Sequence, residues 1–201
     1  MLFSKKFAIS IVTFFILFCI LLKNLHHTTK LQSIKEIVKT KNQYTIAKIT
    51  DTTTVLPLAI SFSTYLIEQN PYLYGIQLAS VFVTTITCNT LKHAINKPRP
   101  DDKNDKKSFP SGHSTLAFCG FATLLATRKQ IKMKNWKRKI IFFASFLFAV
   151  STPIGRVLAN RHWPTDVLCG SVLGIVGSYL VFFLIEKFRS KIMVITTNSY
   201  R

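Results

Sequence analysis

The run VLCGSVLGIVGSYLVFFLI, residues 167–185, decides the fold. It holds no charged residue and is far too long for a strand. At 1.5 Å per residue it makes a helix of roughly 28 Å, close to the thickness of a bilayer's hydrocarbon core. Backbone amides in lipid must be satisfied within the segment itself, so such a run reads as a transmembrane helix. Gly170, Gly174 and Gly177 give it faces on which another helix can pack closely. Working outward, comparable runs cover residues 140–153, 114–127, 72–91, 52–67 and 7–22. The 52–67 run is the most interrupted, with Ser and Thr throughout and Pro57 inside. The expectation is an all-α, polytopic integral membrane helical bundle of about six transmembrane helices. Its segments are an N-terminal helix with a lysine-rich loop (1–51), a core (52–190) and a short tail (191–201).

The first run follows Lys5-Lys6 and lacks a small-x-small cleavage pattern, so it reads as an uncleaved helix. In the loop after it, Leu31, Ile34, Ile37 and Val38 recur at helical spacing, which fits either an amphipathic helix on the membrane surface or an ordinary connector. Cys19, Cys88, Cys119 and Cys169 all sit in apolar stretches without Cys-x-x-Cys spacing. Neither a disulfide framework nor a zinc site is expected, and no metal or other cofactor is.

The net charge is +19, from 27 Lys and Arg against 8 acidic residues, and nearly all of it lies between the apolar runs. Solvated loops and topology signals account for most of it. Anionic membrane lipid is the partner such charge suits; nucleic acid is not expected, because no nucleic-acid module is present. Lys5-Lys6 and the dense cations of 128–139 place the amino terminus inside by the positive-inside rule. Helix ends near residues 92, 113, 156 and 166 then share the outer surface.

Those ends carry three clusters: Lys92 with Arg99-Pro100; Pro110-Ser111-Gly112-His113; and Arg156 with His162 and Asp166. Ser111 can cap the helix that follows it, Gly112 lets backbone approach a ligand, and the unpaired amides there favour an anion. Arg99 and Arg156 can fork onto phosphate oxygens while Lys92 supplies a compact charge. Pro164 suits a first helical turn, which would let Asp166 accept the Nδ1 hydrogen of His162 and leave Nε2 free as a nucleophile. His113 can then protonate a leaving oxygen. Each part alone has a plain structural reading, as a polar cap, a snorkelling cation or a helix start. Together, in this order and on one side, they describe a phosphate site.

The three clusters resemble the signature of the type 2 phosphatidic acid phosphatase family. The motifs cover 92–166, and the helical frame extends the likeness to about 52–187. The resemblance implies a haloperoxidase-like helical core and a metal-independent lipid phosphatase. Lys92, Arg99, Ser111, Gly112 and Arg156 would surround the phosphate, with His162 as nucleophile, Asp166 as its orienting partner and His113 as general acid. One position departs: the family's third motif usually begins Ser-Arg, and here it is Gly155-Arg156. The reaction implied is hydrolysis of a lipid phosphate monoester or diphosphate through a phosphohistidine, at the outer face of a bacterial inner membrane. Phosphatidate-type lipids, undecaprenyl diphosphate and lipid A phosphates are the substrate candidates. Phosphotransfer to a second hydroxyl at the same site, and a non-catalytic phosphate-lipid-binding protein, remain as alternatives. The residues leave oligomeric state open.

Overall fold

A computed structural model describes residues 41–199, with side chains for residues 42–190. The expected first helix (7–22), most of the lysine-rich loop and the last two residues lie outside the described residues. The described chain forms α1 (Lys41–Ile67), α2 (Pro71–Ile95), α3 (Gly112–Ala126), α4 (Asn135–Leu158) and α5 (Pro164–Ser199). Each expected span from 52–67 onward corresponds to one helix, and most helices run a turn or more beyond the apolar stretch. The additional turns carry the polar residues that the apolar runs exclude.

Local chemistry sets the boundaries. Asn70 caps α2, its Oδ1 accepting from the Tyr72 amide at 3.1 Å, and Pro71 occupies the first turn where its missing donor costs nothing. Asn96 ends α2 in the left-handed region at φ 49, returning its amide to Lys92 O. Ser111 caps α3. α1 continues through Pro57. The hydroxyls that break up its hydropathy are satisfied on the helix itself, Thr54 on Thr50 O at 2.7 Å and Thr64 on Ile60 O at 2.7 Å.

The short helix α3 is central, packing against all four of its described neighbours. Glycines let α5 lie directly on it. A β-carbon on Gly170 would overlap Ser111 O, and one on Gly174 would overlap Thr115 O, so the backbones touch at the end where α3 begins. At the other end Tyr65, Leu73, Ile76, Leu124 and Ile131 form the apolar core, closed by a Tyr65 Oη to Thr127 Oγ1 contact of 2.9 Å. Large apolar side chains such as Phe82, Ile86, Ile140 and Phe143 face outward, as lipid-facing positions should. Residues 135–158 and 164–190 are long and apolar enough to cross a membrane.

Candidate active site

The end of α2, the start of α3, the end of α4 and the start of α5 meet with the 96–111 loop. Lys92, one turn before the end of α2, donates through Nζ to Pro110 O at 2.6 Å and Lys107 O at 3.0 Å. That pins the loop entering α3 and sets the lysine side chain beside Gly112, whose β-carbon would lie 3.8 Å from Lys92 Cε. The Ser111 amide donates to Asp166 O at 2.9 Å, joining the start of α3 to α5. Arg99 is folded back by Asp105, which accepts from Nε at 2.7 Å. Its Nη1 then lies 3.4 Å from His162 Nε2.

His162 is buried between α4 and α5. Its Nδ1 lies 2.8 Å from Ser108 O, and a carbonyl can only accept, so Nδ1 carries the hydrogen and Nε2 keeps its lone pair. Burial pushes the imidazole pKa well below the ordinary histidine range, the cations Arg99, Lys92 and Arg156 push it the same way, and the Ser108 hydrogen bond opposes them. The result is a neutral imidazole whose Nε2 lone pair accepts a long hydrogen bond from the Arg99 guanidinium.

The hydrogen bond expected between His162 and Asp166 is not formed directly. Asp166 Oδ2 lies 4.0 Å from Nδ1. The carboxylate is held instead by Lys97 Nζ at 2.6 Å, the Trp163 amide at 3.1 Å and the Ser108 hydroxyl. The physical reason is charge: Asp166 is completely buried and needs a cation, which a neutral imidazole cannot supply. Ser108 carries its influence, donating its hydroxyl to Asp166 while its carbonyl takes Nδ1–H. Lys97 lies over the Phe109 ring at 5.7 Å and the Trp163 ring at 5.9 Å. Burial lowers its pKa, and the nearby Asp166 carboxylate offsets only part of that shift.

Arg156 is 3% exposed on the last turn of α4. Its Nη1 donates to Asp51 Oδ1 at 2.7 Å, and the same oxygen lies 3.0 Å from His113 Nε2. Asp51 thus joins the second and third clusters, while Lys92 and Arg99 line the first. All eight residues singled out in the sequence therefore lie at this end of the bundle.

The profile of the PAP2 superfamily matches residues 73–190, a segment that holds all three clusters. The chain belongs to the PAP2 superfamily. Phosphatidylglycerophosphatase B of Bacillus subtilis is 31% identical over 144 residues, covering 69% of each chain. Lipid A 1-phosphatase of Porphyromonas gingivalis is 33% identical over 48% of this chain and 20% of its own length. Undecaprenyl-diphosphatase of Sulfolobus acidocaldarius is 33% identical over 42% of this chain and 34% of its own. The crystal structure of a transmembrane PAP2-type phosphatidylglycerolphosphate phosphatase from Bacillus subtilis superposes with a TM-score of 0.65 at 26% identity, covering 90% of this chain and 96% of that one. The chain is thus an integral membrane protein of the PAP2 superfamily and, like these relatives, a phosphatase.

Sequence reasoning on PAP2 motifs missed Lys97, Ser108, Asp105 and Asp51, all of which hold a motif residue in place. Asp51 had a signal: it is the sole acid of α1, in a helix otherwise apolar, hydroxylated, amide-bearing or basic. The departure at Gly155 also gains its reason. A β-carbon there would overlap Thr50 Cγ2, so glycine admits α1 to the position from which Asp51 reaches Arg156. Ser108 had no such signal, because its carbonyl is one that every residue possesses and sequence spacing does not show its hydroxyl reaching Asp166.

Proposed function

We propose that this PAP2 protein hydrolyses a lipid phosphate monoester or diphosphate in two steps, through a phosphohistidine at His162. The observation that carries the reading is the His162 tautomer: with Nδ1–H on Ser108 O, the unprotonated Nε2 points at Arg99, which releases it when the guanidinium turns to phosphate. In the first step Nε2 bonds to phosphorus as the bond to the lipid oxygen breaks, and His113, protonated once the negative charge of the phosphate lies beside it, gives its proton to that oxygen. In the second, water adds to phosphorus, the N–P bond breaks, and His113 takes the proton from water. Lys92, Arg99 and Arg156, with the amides at the start of α3, stabilise charge on the phosphoryl oxygens, so the reaction proceeds without a metal ion.

The outer face of a bacterial inner membrane is the location that the charge distribution favours, with anionic lipids around the chain. Phosphatidate-type lipids, undecaprenyl diphosphate and lipid A phosphates are the substrates to compare, and the relatives' names support that choice. The test is phosphate release across such a panel, in EDTA, by wild type and folded His162→Ala and His113→Ala proteins. Release from at least one lipid is expected, with loss of turnover in His162→Ala and a loss of about 10² to 10⁴ in rate in His113→Ala. Wild-type release by His162→Ala would end the proposal.

A further inference from the structure

At the end of the bundle away from the phosphate site, α3 finishes and α4 begins, about 22 Å along α3 from Gly112. A cavity of about 490 Å³ opens there between the two helices. Phe121, Phe142 and Phe146 form part of its apolar wall, the Phe121 and Phe146 rings lying 5.4 Å apart. Its polar lining is entirely cationic: Arg128, Lys129, Arg138 and Lys139. Among the described residues none of the four is paired with an acid, and Arg138 donates to the neutral Asn135 side chain at 3.0 Å. α4 also starts here with no side-chain cap, adding the positive end of its dipole.

An apolar slot under a cationic rim matches one molecule in a membrane. We propose that this groove binds an anionic phospholipid, its phosphate on the rim and an acyl chain along the phenylalanines. Among the described residues no histidine lines it. The test uses the full chain in phosphatidylcholine nanodiscs titrated with phosphatidylglycerol, whose phosphate is a diester, and reads retained lipid by native mass spectrometry. Wild type should retain phosphatidylglycerol. Arg128→Gln with Arg138→Gln should weaken retention on the order of tenfold. Lys132→Gln with Lys137→Gln, which removes equal charge from the α3–α4 connector and the first turn of α4 outside the groove, should leave it unchanged. No preference over phosphatidylcholine, or equal loss in both variants, would overturn the proposal. So would cross-linking of Val12→Cys to Phe143→Cys without retained lipid, which would give the groove to the chain's own residues 7–22.

A second inference rests on Asp51. One carboxylate oxygen engages the Arg156 guanidinium and His113 Nε2, the two groups that the proposed reaction turns toward phosphate. Asp51 is 58% exposed while Arg156 is buried, so the carboxylate can leave and the guanidinium cannot. We infer that Asp51 is an internal competitor for the phosphate position, pairing with Arg156 in the empty site and yielding it to substrate. This rests on the phosphate site proposed above. Asp51→Asn keeps an accepting oxygen but loses the charge that opposes an incoming phosphate. It should strengthen inhibition by inorganic phosphate roughly tenfold and lower KM. Unchanged or weaker phosphate inhibition would overturn the inference. Arg156→Ala should abolish that inhibition; if it does not, the phosphate site itself is misplaced.

Discussion

Thr50 and Gly155 meet with no space for a side chain between them, since a β-carbon on Gly155 would overlap the Thr50 methyl. The contact fixes how near α1 lies to α4, and the next residues along the two helices, Asp51 and Arg156, form their 2.7 Å ion pair as a result. A missing side chain in the third motif is thereby linked to an acid that lies outside all three.

Gly155→Ser therefore forces α1 away from α4, because the overlapping methyl belongs to a short side chain whose hydroxyl is held by Ala47 O at 2.8 Å. Overpacking of this kind costs about 1–3 kcal/mol. Thermal unfolding in detergent should show a lower Tm for Gly155→Ser, with recovery when Thr50→Ala is added. Equal Tm values for wild type and Gly155→Ser would show that the contact does not constrain the helices.

The second prediction concerns Asp166, which reaches His162 through Ser108. Ser108→Ala removes the hydroxyl and keeps the carbonyl, so it should lower kcat and make a further Asp166→Asn change largely non-additive. Asp166→Asn alone also leaves Lys97 buried without its counterion, a loss of about 3–5 kcal/mol in stability. A double-mutant cycle on kcat and on unfolding checks both. If Ser108→Ala is silent and Asp166→Asn is crippling, the aspartate acts without the serine.

The third is a pH dependence. The His162 pKa lies below the ordinary value of about 6.5, so the nucleophile remains neutral through the usual histidine range, and the acid limb it imposes on kcat/KM falls well below that range. Stability follows the same sign. The unfolded histidine binds a proton that the folded one refuses, so this contribution is present above the unfolded pKa and is lost as pH falls. Burial is the largest cause and Arg99 the next, so Arg99→Gln should move the acid limb of the pH–rate profile to higher pH. A limb that stays in place would remove Arg99 from the electrostatics of His162.

The frame was legible because lipid permits few solutions: an uncharged run of the length of 167–185 must be a helix, and each later span became one. Lys92, Arg99, Ser111, Gly112, His113, Arg156, His162 and Asp166 were singled out because a phosphate site would require cations, amides and a proton carrier at helix ends, and the structure gathers them at one end of the bundle. The contacts among them were not legible. Whether Asp166 meets His162 or Lys97 depends on a buried charge finding its counterion five residues beyond Lys92, and sequence spacing shows no burial. Ser108 enters through its backbone, and Asp51 through the closeness of two helices remote in sequence.

The central claim is that His162 becomes covalently phosphorylated through Nε2. Rapid acid quench of wild-type protein turning over a labelled lipid phosphate, followed by mapping of the label, tests it most directly. The account predicts a phosphoenzyme that is acid-labile and base-stable, carried on His162, formed as fast as phosphate is released and missing in His162→Ala. Release of phosphate by wild type with no labelled His162 at any time in the turnover would contradict it.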